Sequence, residues 1–153
     1  MTAATSSRAV PPAPAPALVL GLSGLLPFVG LALLAVFGDI TWHVYWLTAL
    51  SYYGAVIAAF VGALHWGYAV KRSVVGREAW IQYGFSVLPA LLAWLSLLFP
   101  VWTALRMQAL ILLVCYVSDR VLCTLDPVPS WFMRLRLVLT LIGTASLFGA
   151  SIA

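Results

Sequence analysis

The stretch TALSYYGAVIAAFVGALHWGYAV, residues 48–70, decides the fold of this chain. It contains no Asp, Glu, Lys or Arg. As an α-helix it would rise about 34 Å, because each helical residue adds about 1.5 Å. The hydrocarbon core of a bilayer is about 30 Å thick. The stretch therefore predicts a transmembrane helix.

Four further apolar stretches flank this segment. They are residues 17–37, 80–99, 102–118 and 132–153. The chain is 64% hydrophobic and 8% charged, with a mean hydropathy of +1.08, whereas a soluble domain is about 25% charged. We predict an all-α integral membrane protein, a single domain over 17–153 built as a five-transmembrane-helix bundle. The loops are too short to hold a soluble catalytic module.

The basic residues collect on one side of the predicted bundle. If every stretch spans, one side carries seven basic residues and the other only Arg106. The seven are Arg8, Lys71, Arg72, Arg77, Arg120, Arg134 and Arg136. The positive-inside rule then predicts a cytoplasmic N-terminus and a periplasmic C-terminus. Topology and anionic headgroups account for the net charge of +4, so nucleic acid is not an expected partner.

Residues 1–16 are rich in Pro and Ala and predict a flexible cytoplasmic tail. The tail lacks the basic region and short apolar core of a secretory signal. It contains a single arginine, Arg8, whereas a mitochondrial presequence is Arg-rich. We expect a multi-pass protein of the bacterial inner membrane, with an organelle inner membrane as the alternative.

Small side chains recur along 48–70 at intervals of three or four residues. The stripe comprises Ser51, Gly54, Ala58 and Gly62, continued by His65 and Ala69. Small residues at this spacing let another helix approach closely. The stripe predicts a central position for this helix, although Gly and Ala are also common in membrane helices in general.

Polar side chains gather at the cytoplasmic ends of the predicted helices. This cluster comprises His65, Gln82, Asp119, Arg120, Arg134 and Arg136. An ionisable group at membrane depth normally faces protein or water. We expect Asp119 to pair with Arg136 or Arg120, with His65 within hydrogen-bonding reach. Two alternatives stay open: the arginines snorkel to the interface while Asp119 simply ends a helix, and His65 makes a structural interhelical hydrogen bond.

Tryptophans and prolines bear on the same spans. Trp42, Trp46, Trp66, Trp80, Trp102 and Trp131 fall at the predicted interfaces, where aromatic rings are enriched. Pro27 and Pro89 lie within spans and predict kinks.

Cys115 and Cys123 are eight residues apart. On one helix this spacing is about 12 Å, which is too far for a disulfide.

Catalytic and cofactor patterns are missing from the sequence. There is no Gly-x-Ser-x-Gly elbow and no phosphate-binding glycine loop. His43 and His65 would lie about 33 Å apart on one helix, so they cannot share a haem within one chain. One carboxylate and one histidine make a poor metal site. We therefore expect neither enzymatic activity nor a cofactor or metal.

Four segments resemble a known family: LGLSGLLPF at 20–28, YGAVIAAFVGALHWG at 53–67, Asp119-Arg120, and PSWFMRLR at 129–136. They are similar to the bacterial domain-of-unknown-function family 3429, related to transmembrane protein 69. The family pattern often has a glycine where this chain has Ala63. The resemblance implies a small multi-spanning membrane protein and no established activity. It gives weight to His65, Trp66, Asp119, Arg120, Arg134 and Arg136.

Two functional classes remain. The first is a non-enzymatic accessory or assembly subunit that docks onto a larger membrane complex; membrane lipid and either a membrane-protein partner or a second copy are the expected partners. The alternative is an autonomous oligomeric carrier or channel that moves protons or a small solute through the cytoplasmic-side cluster. A small or polar helix face pointing outward favours the first, and a wet cavity at the midplane favours the second.

Overall fold

The computed structural model describes residues 13–125 and 128–153 of the chain. Most of the predicted tail, residues 1–12, and the side chain of Cys123 lie outside the described part. The helices are α1 (Ala15–Ser23), α2 (Leu25–Phe37), α3 (His43–Lys71), α4 (Gly76–Ser96), α5 (Val101–Leu125) and α6 (Ser130–Ala150), with a short 3-10 turn at Ile40–Trp42.

The described residues form helices and no strand. Among them, five helical stretches are long and apolar enough to cross a membrane, α1 and α2 together forming the first. The prediction of an all-α membrane protein with five such spans is therefore confirmed. The cytoplasmic position of the N-terminus stays a prediction.

The helices extend beyond several predicted spans, and two, α4 and α6, end short of their predicted limits, α6 at Ala150 rather than at 153. Helix α3 begins at His43 rather than at 48, and α5 continues to Leu125 rather than ending at 118. Helix α4 ends at Ser96, three residues before the predicted limit. Hydropathy detects the part of a helix that suits hydrocarbon, whereas backbone hydrogen bonding continues through polar residues. The charges that end the apolar stretch of α5 therefore do not end its helix.

The first span bends at Gly24, between α1 and α2. Pro27 lacks a backbone N–H and so leaves the Ser23 carbonyl without its usual helical donor. At the bend, the Tyr53 hydroxyl donates to the Gly24 carbonyl at 2.7 Å. A side chain of α3 thus bonds the backbone one residue after the carbonyl that Pro27 leaves without its helical donor. In α4, by contrast, the helix continues through Pro89.

Helix α3 lies at the centre of the bundle and packs against α2, α4, α5 and α6. Glycine permits its closest approaches. A Cβ at Gly62 would lie 2.8 Å from the backbone oxygen of Ser86, and one at Gly54 would lie 2.5 Å from Oε1 of Gln108. The six residues of the predicted stripe are all buried. Small side chains here set the distances between α3 and its neighbours.

Consecutive spans run in opposite directions, so polar contacts near the helix ends form two layers. One end of the bundle, where α1, α4 and α6 begin and α3 and α5 end, is called the basic end. At the opposite end, Arg106 donates from Nε to Ser151 Oγ at 3.2 Å and from Nη2 to the Ser151 carbonyl at 3.1 Å. A cation there complements the C-terminal dipole of α6.

The outer surface of the bundle is apolar. Large side chains such as Leu26, Phe60 and Trp94 are 60% exposed or more. Contiguous apolar surface of this kind is typical of a face that contacts lipid or another membrane helix. Among the predicted interface tryptophans, Trp46 and Trp131 are half-buried and the others are exposed, namely Trp42, Trp66, Trp80 and Trp102.

Candidate functional site

Three buried ionisable side chains from three helices meet near the basic end. We call His65 of α3, Asp119 of α5 and Arg136 of α6 the ionic triad. Their exposed fractions are 2%, 2% and 6%. Each lies six residues from the end of its helix at the basic end, which brings them to the same depth.

Within the ionic triad, Arg136 holds Asp119 through one carboxylate oxygen. The Arg136 Nε donates to Asp119 Oδ2 at 2.7 Å, and Nη2 donates to the same oxygen. Hydrogen bonds between charged partners are stronger than neutral ones. Asp119 and Arg120 are adjacent on α5, so their side chains point about 100° apart, and Arg120 is exposed. Arg136 and not Arg120 therefore neutralises Asp119.

His65 approaches the other oxygen of the same carboxylate. Its Nε2 lies 3.2 Å from Asp119 Oδ1, but the angles fall outside hydrogen-bond geometry and both atoms are buried without a hydrogen-bond partner. The His65 ring also stacks edge-on against Phe85, with centroids 5.2 Å apart. The carboxylate thus joins α3, α5 and α6.

The remaining members of the predicted cluster do not join the ionic triad. Gln82 donates instead to Glu78 Oε1 at 2.8 Å, and the same oxygen lies 3.0 Å from Arg72 Nη2. Arg134 and Arg120 are exposed. The structure therefore brings three of the six predicted residues into contact, because hydropathy assigns depth whereas the face of each helix decides contact. A functional role for the six-residue cluster stays a prediction.

A second buried polar contact lies toward the opposite end of the bundle. Gln108 of α5 is fully buried, and its Nε2 donates to Ser51 Oγ of α3 and to Ser96 Oγ of α4, both at 3.0 Å. We call these three residues the Gln108 node. Sequence reasoning did not include Gln108 in a site. The signal was present, since an amide within a span requires partners.

Two cavities flank the ionic triad. A cavity of about 390 Å³ lies between α1, α2, α3 and α6 and reaches Arg136. A second, of about 250 Å³, is lined from α3, α4 and α5 and reaches His65, with Gln82 and Ser118 also in its wall. Both are lined chiefly by apolar side chains. The ionic triad therefore contributes a polar residue to the wall of each of two largely apolar cavities, Arg136 to one and His65 to the other.

The ionic triad supplies an electrostatic contact between three helices. Within the described residues, no three His, Cys, Asp or Glu side chains lie close enough together to hold a metal ion. Cys115, 1% exposed, is buried.

Asp39 lies outside the spans. Hydrogen bonds from Thr41 lower the pKa of Asp39 below its ordinary 3.8, and the bond from the Thr41 side chain contributes more than the bond from its backbone N–H.

Comparison with known proteins identifies relatives over nearly the whole chain. The family profile described as protein of unknown function (DUF3429) matches residues 13–152. Transmembrane protein 69 of Xenopus tropicalis is 37% identical over 147 residues, covering 95% of this chain and 57% of that protein. Transmembrane protein 69 of Mus musculus is 32% identical over 133 residues, covering 87% and 54%.

This chain spans about half the length of the curated relatives that it matches. No solved structure shows significant similarity to it. The resemblance seen in the sequence is confirmed by the family match, which includes the ionic triad and the segments that carried the resemblance. The chain belongs to the DUF3429 family of membrane proteins, whose activity is unknown.

Proposed function

We propose that this protein is a non-enzymatic accessory or assembly subunit that docks onto a larger membrane complex through its transmembrane helices. We place it in a bacterial inner membrane with the basic end toward the cytoplasm, following the distribution of Lys and Arg. The observation that carries the proposal is a shallow groove between α2 and α6 on the outer surface. We call it the α2/α6 groove.

The α2/α6 groove has a volume of about 310 Å³. Its lining residues are Val29, Ala32, Leu33 and Val36 of α2 and Ile142, Ala145, Ser146, Gly149 and Ala150 of α6. A Cβ added at Gly149 would meet no atom within 4 Å. The small residues Ala145 and Gly149 are one turn apart and open to the outside. Close packing against such residues drives association of membrane helices.

The same geometry argues less well for the alternative, an autonomous carrier or channel. A carrier needs a hydrated path to its site, whereas Gln108 and Asp119 are sealed, with exposed fractions of 0% and 2%. The cavities beside the ionic triad are largely apolar. Arg136 already neutralises Asp119, so the buried polar groups serve better to hold the helices in place.

The test begins with tagged protein at native expression, extracted in a gentle detergent, with its size and companions measured by mass spectrometry. We expect stoichiometric recovery with other membrane subunits. Gly149→Leu should abolish that recovery, because the leucine fills the α2/α6 groove. Gly84→Leu on α4 is the matched control, since a Cβ there also meets no atom within 4 Å.

A photo-crosslinking residue at Ala145 gives a second measurement on the same surface. It should capture the same subunit, whereas one at the exposed Leu91 of α4 should not. Recovery of a monomer or a homo-oligomer alone would contradict the proposal. Equal behaviour of Gly149→Leu and Gly84→Leu would contradict the assigned surface.

A further inference from the structure

Polar side chains from three helices line the cavity of about 250 Å³ that reaches His65. We call this space the His65 cavity. Each helix in its wall contributes one polar residue: His65 from α3, Gln82 from α4 and Ser118 from α5. His65 and Gln82 lie six residues, and Ser118 seven, from the ends of their helices at the basic end. The three polar side chains therefore line one cavity at one depth.

The His65 cavity lies close to the basic end. It extends from Leu122, three residues before the end of α5, to Phe85, nine residues after the start of α4. At a rise of about 1.5 Å per residue, these limits are about 4.5 and 13.5 Å from the helix ends. Gln82 links the cavity to the surface, because its Nε2 donates to Glu78 Oε1 at 2.8 Å and the Glu78 side chain is 53% exposed. Polar side chains thus continue from the cavity to the basic end.

The described residues do not meet the hydrogen-bonding capacity of His65. Both ring nitrogens, Nδ1 and Nε2, are buried and have no hydrogen-bond partner among those residues. A neutral imidazole offers one donor and one acceptor. Buried polar groups of this kind are normally bonded to protein or to ordered water. His65 therefore calls for a partner that can both donate and accept.

The other two polar residues in the wall can complete the hydrogen bonds of a water molecule. Ser118 Oγ donates its hydrogen to the Val114 carbonyl at 2.9 Å, so its lone pairs can accept. Gln82 uses its Nε2 for Glu78, and its amide oxygen is a further acceptor. A buried water needs about two to four polar partners and about 10–15 Å³ of accessible space. The His65 cavity provides both.

We propose that the His65 cavity is a hydration site, in which ordered water enters from the basic end and hydrogen-bonds to His65, Ser118 and Gln82. An acyl chain in the same space would leave both nitrogens of His65 unbonded, whereas water can donate to one and accept from the other. The cavity ends at the level of Phe85, so it gives no path across the bundle. The site is separate from the α2/α6 groove, so it stands whether or not the docking proposal holds.

The experiment uses the small number of histidines and glutamines in the chain, namely His43, His65, Gln82 and Gln108. Full-length protein with isotopically labelled nitrogen in these side chains is reconstituted in phosphatidylcholine vesicles. Solid-state NMR then measures magnetisation transfer from water protons to each side-chain nitrogen. We expect transfer to His65 and Gln82 at short mixing times.

Gln108 is the reference for the dry interior of the bundle. It is fully buried, donates to two serines and lies in the wall of neither cavity nor of the α2/α6 groove. Its side-chain nitrogen should receive magnetisation from water only at long mixing times. A His43→Asn variant assigns the two histidine signals.

Two variants change the wall of the His65 cavity. Ser118→Leu replaces the hydroxyl by a larger apolar side chain and should abolish the transfer to His65 at short mixing times. Gln82→Leu removes the amide between the cavity and the surface and should slow that transfer. Ser146→Leu on α6 is the matched control and should leave it unchanged, because this half-buried serine lines the α2/α6 groove instead. Each variant is first checked for cooperative unfolding.

Three results would overturn the proposal. The first is transfer to His65 as slow as transfer to Gln108, which would mean that the cavity is dry. The second is unchanged transfer to His65 in both Ser118→Leu and Gln82→Leu, which would mean that water reaches the histidine elsewhere. The third is faster transfer to His65 from acyl-chain protons than from water, which would make lipid the occupant of the His65 cavity.

Discussion

Removing Arg136 should destabilise the bundle strongly, whereas removing Arg136 together with Asp119 should cost clearly less than the sum of the two single changes. Arg136→Met leaves a carboxylate that is only 2% exposed without its cation. Breaking a buried ion pair in this way costs about 3–5 kcal/mol. Asp119→Leu leaves the guanidinium unpaired and should lower the free energy of unfolding by a similar amount.

The contacts of the pair give the same magnitude. Two N–H groups of Arg136 donate to Asp119 Oδ2, one of them at 2.7 Å. A hydrogen bond to a charged group contributes about 1.5–3 kcal/mol, so two contribute about 3–6 kcal/mol. The double variant buries two apolar side chains instead and leaves no unpaired charge. We expect it to cost less than the sum of the single variants by at least about 2 kcal/mol.

The assay follows unfolding in mild detergent through the thiol of Cys115, which is 1% exposed and therefore protected in the folded state. A Cys123→Ser background leaves this single reporter. Arg120→Met is the matched control, because Arg120 adjoins Asp119 in sequence but is exposed. It should change the free energy of unfolding by no more than about 0.5 kcal/mol, as surface substitutions usually do.

Additive losses would refute the reasoning, since independent sites add to within about 0.5 kcal/mol. Interhelical polar contacts in one measured membrane protein averaged only about 0.6 kcal/mol. A coupling that small would mean that the charges find other partners in the partly unfolded state. An effect of Arg136→Met no larger than that of Arg120→Met would also refute the assigned ion pair.

Three further predictions concern packing, the second polar layer and a loop. In the same thiol assay, Gly62→Ala should lower the free energy of unfolding by about 1–3 kcal/mol, because the added methyl group would lie 2.8 Å from the Ser86 backbone oxygen. Gly67→Ala, where the added methyl group enters open space, should raise it by about 0.5–1 kcal/mol. Equal effects of the two variants would contradict the close packing at Gly62. Gln108→Leu should lower the free energy of unfolding by about 1–2 kcal/mol, since it removes two hydrogen bonds to α3 and α4. An unchanged unfolding midpoint would contradict this prediction. Hydrogen bonds from Thr41 lower the pKa of Asp39. The stability that these hydrogen bonds contribute is therefore present above the ordinary pKa of 3.8 and is lost as pH falls through the lowered value. An NMR titration should show the pKa of Asp39 rising in Thr41→Val, and an unchanged pKa would rule out the assigned cause.

The depth of the polar residues could be predicted from the sequence, but the contacts among them could not. Apolar stretch lengths placed His65, Asp119 and Arg136 at one level. Arg120 points about 100° away from Asp119 on the same helix, and whether Asp119 met Arg136 depended on the rotation of α5. Gln82 lay at a suitable depth, yet Glu78 one turn away on its own helix offered a nearer acceptor.

The Gln108 node was missed for a related reason. Ser51 and Gln108 are separated by 57 residues, and no periodicity within one helix reports such a distance. The bend at Gly24 was only half predicted. Pro27 indicated a kink, but the hydroxyl of Tyr53, which donates to the neighbouring Gly24 carbonyl, belongs to another helix, α3.

By itself the sequence determined which segments suit a bilayer and which residues lie at each depth, because hydropathy and helical rise are local properties of the chain. It also determined the family, because the family match follows the order of residues along the chain, over 13–152, and needs no contact between helices. The tertiary structure alone decided that Arg136 neutralises Asp119, that Gln108 of α5 joins α3 to α4, and that an apolar cavity opens beside α1. Those outcomes depend on how each helix is rotated and how closely the glycines of α3 let its neighbours approach.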